Sequence, residues 1–556
     1  MLSKIKQIIF SNSSVYGAAI LLASFTFLSQ VFALVRDRLL AISFGAGPEL
    51  DIYYAAFRVP DFIFTAVASL IAVSVIVPLI SSLEGDKVKL KKAIDSLFSV
   101  FFVVIIVASV VAFFVMPYLN DFLFKGFWES QLEAVTTFSR ILLLSPLLLG
   151  LSNFFGGIAQ ARMHFFAYAL SPVLYNLGII LGIIFLVPIY GMSGIVIGVV
   201  LGALMHFLIQ TPYLWREKLL PSFILKIDFS MVKKTLSVSI ARTLALSINH
   251  ITLLVLFGMA TSLAMGAITI FSFASNLQAV LVSIFGSSIS LAAFPTMSLM
   301  HSKGNSEDFS KFLAKVLSTA MFWVMPASFL FIVLRAHIVR VILGSGYFSW
   351  DDTRLTAASL AVLSISAIFQ TILLVYTRAF YATNRTKLPF VTNFISFVIS
   401  ISSAHLFMWI NSVNPNYFGW LYRALRIEDI SIAHTVLLSL AYSVGVIISG
   451  SAIVLIFESK HKVVRHAKKS IGEIFLASIV VLFVSYGALQ ITGDLVGLES
   501  TLKVFIQGLT AGVLGILGAI FVLYVLKNKE LMEFLNSVKS KIWRRQNPVY
   551  PDTEVV

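Results

Sequence analysis

Cysteine is absent from this chain of 556 residues, and charged residues make up only 12% of it. A chain without cysteine has no disulfide, no thiol nucleophile and no cysteine-ligated metal. The sequence also lacks a phosphate-binding loop of the GxxxxGKS/T type and an HExxH zinc motif, and its nine histidines are scattered. These absences predict that the protein is not an enzyme and uses no cofactor, and they support no metal site.

Apolar residues, by contrast, make up 58% of the chain, and the mean hydropathy is +0.94. A soluble core cannot hide that much apolar surface. Fourteen apolar runs are present, and most reach the roughly 20 residues that a helix needs to cross a bilayer. The runs span residues 15–40, 52–83, 93–119, 134–158, 165–187, 192–214, 236–257, 264–299, 316–334, 355–381, 388–410, 432–457, 471–491 and 504–526. We therefore predict an all-α membrane protein with about 14 transmembrane helices.

The positive charges follow the parity of the loops between these runs. Of the 41 Lys and Arg residues, 28 lie at the N-terminus, in even-numbered loops or in the C-terminal tail, and only seven lie in odd-numbered loops. Short basic loops stay in the cytoplasm, so both termini are expected to be cytoplasmic. The same distribution explains most of the net charge of +15, and no nucleic-acid partner is predicted.

A weak internal repeat appears when the chain is shifted against itself by a little over two hundred residues. Residues 44–45 and 257–258 both read Phe-Gly, and proline recurs at 78 and 295. Each half would then contain six helices, related by an axis along the membrane normal. We predict an N-terminal lobe of residues 1–230, a C-terminal lobe of residues 231–459, and two further helices with a tail in residues 460–556. Two facing lobes are typical of alternating-access transporters.

Charged side chains inside the apolar runs are the candidate site residues. A charge at the centre of a membrane helix costs roughly 2.5 to 3.5 kcal/mol, so such residues normally face a cavity or a partner. Arginine suits a phosphate because its planar fork offers two parallel donors. The predicted substrate-binding residues are Arg36, Asp37, Asp51, Arg58, Arg140, Arg242 and Arg378, with Asp61 as a further charged candidate and His250 and His405 as weaker ones. A cationic cavity implies an anionic cargo.

Each of these charges also has a structural interpretation. The group around Arg36 and Asp51 could be an ion-paired cluster at the membrane interface. Arg58 and Asp61 flank Pro60 and could pair across a kink. Arg140 and Arg378 could pair with neighbours inside a lobe, Arg242 could snorkel to the cytoplasmic surface, and the two histidines could be hydrogen-bonded core residues. The sequence alone leaves these alternatives open.

The most distinctive stretch begins at the end of the first run. It reads VRDRLLA at residues 35–41, FGAG at 44–47 and DIYYAAFRVP at 51–60. This order resembles the start of the MurJ (MviN) family, lipid II flippases of the MOP exporter superfamily. Residues 171–176 (SPVLYN) and 378–382 (RAFYA) are similar to later segments of that family, and the count of fourteen helices agrees with it.

The resemblance implies a fold and a function. It implies a flippase that moves lipid II, the polyprenyl-diphosphate-linked peptidoglycan precursor, across the bacterial cytoplasmic membrane. Arginines would bind the diphosphate, and the protein would be a monomer surrounded by membrane lipids. Arg36, Asp37 and Asp51 carry over by position, and Arg58 stands where a basic residue is common. Three family arginines are missing, because this chain has Gln30, Phe64 and Asn276 at those positions.

Three alternative functions remain at this point. The cargo could be another polyprenyl-linked saccharide or a small amphiphile. The chain could be a membrane glycosyltransferase or ligase, although its external loops offer few acidic residues. It could also be a scaffold that kept the fold and lost transport, which the missing arginines make relevant. The energy source is open too: Asp37, Asp51 or Asp61 could carry a proton or sodium ion, or the membrane potential could act on an empty cationic cavity.

Overall fold

The computed structural model describes residues 15–68, 76, 80, 86–162, 164–229, 232, 240–304, 306–383, 385, 387–496 and 500–544. Throughout that part of the chain the regular elements are helices. In chain order they are α1 (Val15–Phe44), α2 (Pro48–Ala68), α3 (Lys87–Leu123), α4 (Glu129–Leu142), α5 (Leu144–Ala161), α6 (Phe166–Leu181), α7 (Val187–Tyr190), α8 (Met192–Leu208), α9 (Thr211–Arg216), α10 (Ile240–Thr261), α11 (Ala267–Leu281), α12 (Ser288–Ser302), α13 (Ser306–Ile342), α14 (Trp350–Ala382), α15 (Lys387–Val413), α16 (Gly419–Leu425), α17 (Val436–His461), α18 (Val463–Val496), α19 (Thr501–Val525) and α20 (Lys529–Arg544).

The predicted all-α membrane class is confirmed. Twelve helices among the described residues are long and apolar enough to cross a membrane, and they match the third to fourteenth predicted runs. The first run forms α1, and the second forms α2 as far as Ala68, beyond which it lies largely outside the described residues. Neither is one of the twelve, so the total of fourteen spans stays a prediction.

The chain forms two compact units. The first contains Met1–Leu277, Ile342–Ser359 and Thr386–Ser449, and the second contains Gln278–Val341, Leu360–Arg385 and Gly450–Val556. The core of the first unit includes a cluster of large apolar side chains from α2, α3 and α5, among them Phe101, Phe154 and Ile158. The division into lobes at residues 230 and 459 is not tested by these units and stays a prediction.

Helices α6 and α8 approach each other closely through glycine. A Cβ on Gly178 would lie 2.2 Å from the Cα of Gly202, and one on Gly182, in a short π-helical turn after α6, would lie 2.5 Å from the Cα of Gly198. Small residues at spacings of four let helix backbones pack directly in a membrane. This contact holds α6, and with it Asn176, in a fixed position.

Replacing Gly202 by alanine is expected to destabilise the protein, because the added Cβ would lie 2.3 Å from the carbonyl oxygen of Tyr175. Overpacking of this kind costs about 2 kcal/mol. The check is the thermal unfolding midpoint of the purified protein in detergent. Gly487→Ala is the matched control, since nothing lies within 4 Å of a Cβ there. Equal midpoints for both variants would contradict the close packing.

The segment that precedes the predicted lobe boundary at residue 230 is hydrogen-bonded to α3. Asp95, which is buried, accepts hydrogen bonds from the Nζ of Lys91 at 2.5 Å and from the backbone N–H of Ser222 at 2.8 Å. One turn further along the same helix, the Oγ of Ser99 accepts a hydrogen bond from the N–H of Ile224 at 2.8 Å. The contact extends to Asp228, whose N–H lies 3.4 Å from the Oγ of Ser96 on α3.

In the second unit, α18 and α19 pack along each other. A Cβ on Gly515 would lie 2.0 Å from the Oγ of Ser485, so the two backbones are close. The side chain of Gln507 donates to the carbonyl of Leu489 at 2.9 Å and is hydrogen-bonded to His337 on α13 at 3.0 Å. The two helices predicted after residue 460 thus belong to the same compact body as α13.

Candidate functional site

Arg36 and Asp37, near the end of α1, lie at the centre of a hydrogen-bonded group in the first unit. Arg36 donates from Nε at 2.9 Å and from Nη2 at 2.7 Å to the Oδ1 of Asp37, and from Nη1 at 3.0 Å to the Oδ1 of Asn176 on α6. The Oδ2 of Asp37 accepts from the Nδ2 of Asn276 on α11 at 2.9 Å. We call Arg36, Asp37, Asn176 and Asn276 the arginine cluster.

The arginine cluster is mostly buried, but part of the Arg36 side chain is exposed. The side chain of Asp37 is 3% exposed and that of Arg36 is 18% exposed. A guanidinium has five N–H donors, and three of those of Arg36 are used within the cluster. The remaining two can reach an anionic group. This geometry favours the interior interpretation over a snorkelling pair at the membrane surface.

Asp51, the second carboxylate of the matching segments, caps the start of α11. Its Oδ2 accepts from the N–H of Gly266 at 2.6 Å, and its Oδ1 accepts from the N–H and hydroxyl of Thr269 at 2.8 and 2.7 Å. A carboxylate is stabilised there by the unpaired N–H groups of the first helical turn. Because both oxygens already accept hydrogen bonds and the residue is 2% exposed, Asp51 holds the start of α11 in place.

The turn between α1 and α2 makes a second set of contacts with later parts of the chain. The N–H of Tyr347 donates to the carbonyl of Ile42 at 3.0 Å, and Arg38 donates to the carbonyl of Ile342 at 3.1 Å. Gly45 has a φ of +66°, and a Cβ there would lie 2.5 Å from the carbonyl oxygen of Tyr347. Only glycine fits that turn without strain. By loop parity these contacts lie on the predicted external side.

Arg58 lies two helical turns after Asp51 in α2, and it has more unused N–H donors than Arg36. Its guanidinium carbon is 3.9 Å from the centre of the Phe257 ring, a cation–π geometry. Its Nε makes a long hydrogen bond of 3.4 Å to the carbonyl of Tyr54. Within the described residues its two Nη atoms have no hydrogen-bond partner, and neither has the carboxylate of Asp61. Arg58 therefore offers an open pair of donors for a phosphate.

The kink at Pro60 is not closed by Arg58 and Asp61. Proline has no N–H, so the carbonyl of Ala56 loses its helical partner. That carbonyl accepts a hydrogen bond from the Oγ of Ser139 on α4 at 3.0 Å. Of the two histidines interpreted as hydrogen-bonded core residues, His250 is hydrogen-bonded to Thr65 at 3.1 Å. His405 is exposed and is hydrogen-bonded to the carbonyl of Ile401 in its own helix at 3.0 Å.

Arg140 occupies the equivalent position at a second proline. Pro117 lies inside α3 and leaves the carbonyl of Phe113 without its helical donor. The Nε of Arg140 donates to that carbonyl at 3.1 Å, and its guanidinium carbon lies 4.7 Å from the centre of the Phe113 ring. Membrane helices tolerate proline where neighbouring groups supply the missing hydrogen bond. The geometry gives Arg140 this bracing role, and its predicted contact with substrate stays untested.

Arg140→Gln is expected to lower the free energy of unfolding by about 1 kcal/mol, the net value of such a hydrogen bond. In a Pro117→Ala background the cost should be smaller, because alanine restores an N–H for the carbonyl of Phe113. Unfolding titrations in mixed micelles on the four proteins of this cycle measure the difference. The same cost in both backgrounds would show that Arg140 does not support the kink.

The structure gives fewer contacts for the last two predicted arginines, Arg242 and Arg378. Arg242 falls in α10, but its side chain lies outside the described residues. Arg378 belongs to α14 in the second unit, and its guanidinium carbon is 5.9 Å from the centre of the Phe294 ring in the same unit. A substrate role for either residue stays a prediction. Among the described residues there is no group of three or more potential metal ligands.

Two members of the arginine cluster were not predicted as site residues. Asn176 was noted only as part of the SPVLYN segment, and Asn276 only as a departure from the family pattern. A local signal existed for both, because an asparagine in an apolar helix needs a partner. What the sequence could not supply is the partner, since Asp37 and Asn276 are separated by 239 positions.

Comparison with known proteins identifies relatives over most of the chain. The family model described as lipid II flippase MurJ matches residues 40–496. The lipid II flippase MurJ of Burkholderia cenocepacia is 23% identical over 389 residues, covering 68% of this chain and 75% of the relative. The probable lipid II flippase MurJ of Borreliella burgdorferi is 26% identical over 416 residues, covering 72% and 78%.

Solved structures show the same fold. A lipid II flippase MurJ in an inward closed conformation superposes with a TM-score of 0.72 at 22% identity, covering 91% of this chain and 99% of that one. An inward-facing multidrug resistance MATE transporter of the MOP superfamily gives a TM-score of 0.60 at 15% identity, covering 80% and 99%. Because the family model spans most of the chain and the fold agrees, the chain belongs to the MurJ family of lipid II flippases.

Proposed function

We propose that this protein moves lipid II from the cytoplasmic to the outer leaflet of the bacterial cytoplasmic membrane by alternating access. The observation that carries the proposal is the family match over residues 40–496. The buried arginine cluster supports it, because that cluster offers guanidinium donors to a diphosphate inside a helical membrane protein. As a member of a transporter family, the protein is not an enzyme.

The diphosphate would bind between Arg36 and Arg58. Arg36 keeps two donors beyond those used in the arginine cluster, and Arg58 is held by the Phe257 ring with its Nη atoms open within the described residues. The cluster itself has no net charge, since Asn276 is neutral and Arg36 offsets Asp37. We infer that Arg58 supplies further positively charged donors for an anionic head group.

Closure on one side supports alternating access. Asp51 joins α2 to the start of α11, and the turn at Gly45 joins the first helix pair to Tyr347. The same side carries the bond between Asp37 and Asn276. We infer that these contacts block the external exit, so that substrate enters from the cytoplasm, and that they separate when the site opens outward.

The remaining topology belongs to the same proposal. The protein crosses the membrane many times, and the loop charges favour cytoplasmic termini. We propose that it acts as a monomer with two six-helix lobes, residues 1–230 and 231–459, and that residues 460–556 form an additional helix pair. Membrane lipids surround this body, and the polyprenyl tail of the substrate stays among them during transport.

Arg58→Gln is expected to lower the rate of lipid II transfer about tenfold, because one charge-assisted interaction with phosphate is worth about 1.5 kcal/mol. Arg58→Lys is the matched control, since it keeps the charge and loses the planar fork. Transfer is measured in vesicles, with the thermal midpoint of each variant recorded. Full activity in the glutamine variant would remove Arg58 from the proposed site.

The proposed function is tested by reconstituting the full chain in vesicles with fluorescent lipid II in one leaflet. Transfer to the other leaflet, read by a membrane-impermeant quencher, is expected with the protein and not in empty vesicles. A second polyprenyl-diphosphate saccharide lacking the peptide is added as a competitor. Transfer of that compound without transfer of lipid II would overturn the assigned cargo.

A further inference from the structure

The C-terminal helix α20 follows the membrane helix α19 after only three residues, 526–528. Its beginning is fixed to the second unit. Leu531 is 2% exposed, Glu533 pairs with Lys315 at 2.7 Å, and the ring of Phe534 meets that of Trp323 edge-on with centres 5.4 Å apart. The direction in which α20 leaves the bundle is therefore set by side-chain contacts.

An apolar stripe runs along α20 and extends beyond the residues that make these contacts. Leu531, Phe534, Leu535 and Val538 are spaced three and four residues apart, which places them on one helical face. Leu531 is covered, whereas Phe534, Leu535 and Val538 are 43%, 39% and 40% exposed. The stripe thus begins inside the unit and continues uncovered by the described part of the chain.

The charges of α20 change sign along the same direction. Its acidic residues, Glu530 and Glu533, lie at the end that is bound to the unit, where each has a partner. Beyond Glu533 the helix has only basic charges, Lys539, Lys541 and Arg544, and Arg545 follows in sequence. An exposed apolar stripe with basic residues beside it is the pattern of a helix that lies in the interface of an anionic membrane.

We propose that the second half of α20, from Leu535 onward, is a membrane-surface anchor that binds anionic lipid headgroups. Continuity with α19 favours this partner, because a helix that starts three residues after a membrane span begins at the membrane surface. The apolar stripe enters the acyl boundary, and Lys539 remains at headgroup level. This anchoring is independent of the transported cargo.

The absence of cysteine from the chain makes a direct test possible in the full-length protein. Leu535→Cys and Val538→Cys report on the stripe, and Asn536→Cys is the matched control on another face of the same turn. Each variant carries a nitroxide and is reconstituted in vesicles of phosphatidylcholine with phosphatidylglycerol. Labels at 535 and 538 are expected to collide with lipid-phase oxygen, and the label at 536 with a water-soluble nickel chelate.

The charge requirement is tested with Lys539→Glu combined with Lys541→Glu in the Val538→Cys protein. Each charge near an anionic surface changes membrane partitioning about fivefold. The lipid-phase signal should therefore fall in the anionic vesicles and stay unchanged in phosphatidylcholine alone, and Lys226→Glu, a charge reversal in another loop, should have no effect. Labels at 535 and 538 that are as water-accessible as the label at 536 would overturn the proposal. Protection of these two labels from both reagents would overturn it as well, because it would mean that protein covers the stripe.

Discussion

Replacing Arg36 by glutamine is expected to abolish lipid II transfer and also to destabilise the protein. The substitution leaves the carboxylate of Asp37, which is 3% exposed, with Asn276 as its remaining partner in the arginine cluster. Breaking a buried ion pair by removing one member costs about 3 to 5 kcal/mol. Loss of activity in this variant alone would therefore not distinguish binding from folding.

The double variant Arg36→Gln with Asp37→Asn separates the two effects. It removes both buried charges and keeps side chains of similar size, so most of the lost stability should return, whereas transfer should stay absent because the diphosphate has lost its donor. Transfer in vesicles and the unfolding midpoint in detergent are measured together. If the double variant transferred lipid II at the unmodified rate, Arg36 would have a structural role alone.

Replacing Asp51 by asparagine is expected to lower the free energy of unfolding by about 3 kcal/mol, since hydrogen bonds to a charged acceptor are worth about 1.5 to 3 kcal/mol each. An amide keeps one acceptor oxygen and turns an N–H₂ toward the donors of Gly266 and Thr269, which now use both carboxylate oxygens. The measurement is unfolding in mixed micelles, together with the yield of folded protein.

Thr269→Val is the graded control for Asp51. It removes the hydroxyl bond of 2.7 Å and keeps both backbone bonds, so the expected loss is about 1 kcal/mol. A ranking with the valine variant clearly more stable than the asparagine variant supports the cap. Equal stability of Asp51→Asn and the unmodified protein would show that the carboxylate is not needed to hold the start of α11.

The fold class and the family could be predicted from the sequence because both depend on local patterns. Apolar runs of membrane-spanning length predicted the helices, and the stretch from Val35 to Pro60 predicted the family. Boundaries were less certain where polar residues enter a helix: α3 begins at Lys87, well before the apolar run at residue 93.

The site was predicted only in part, because contacts between distant residues leave no local trace. Arg36 and Asp37 were expected to lie in a cavity, and the structure places them together with Asn176 and Asn276, which the sequence did not pair with them. Arg58 and Asp61 had a second interpretation, a pair that closes on itself across Pro60, but it is Ser139 that bonds to the freed carbonyl there. The role of Arg140, in contrast, was within reach, since Pro117 identifies the carbonyl of Phe113 as one in need of a donor.

Ser139 and Arg140 are consecutive residues of α4, yet they serve different helices. The first donates to the carbonyl freed by Pro60 in α2, and the second donates to the carbonyl freed by Pro117 in α3. One short helix thus supplies the hydrogen bonds that two prolines remove from two other helices. Any sliding of α4 along its axis would disturb both hydrogen bonds together, so we expect the proline sites of α2, which bears Arg58, and of α3 to respond to such a movement as a pair.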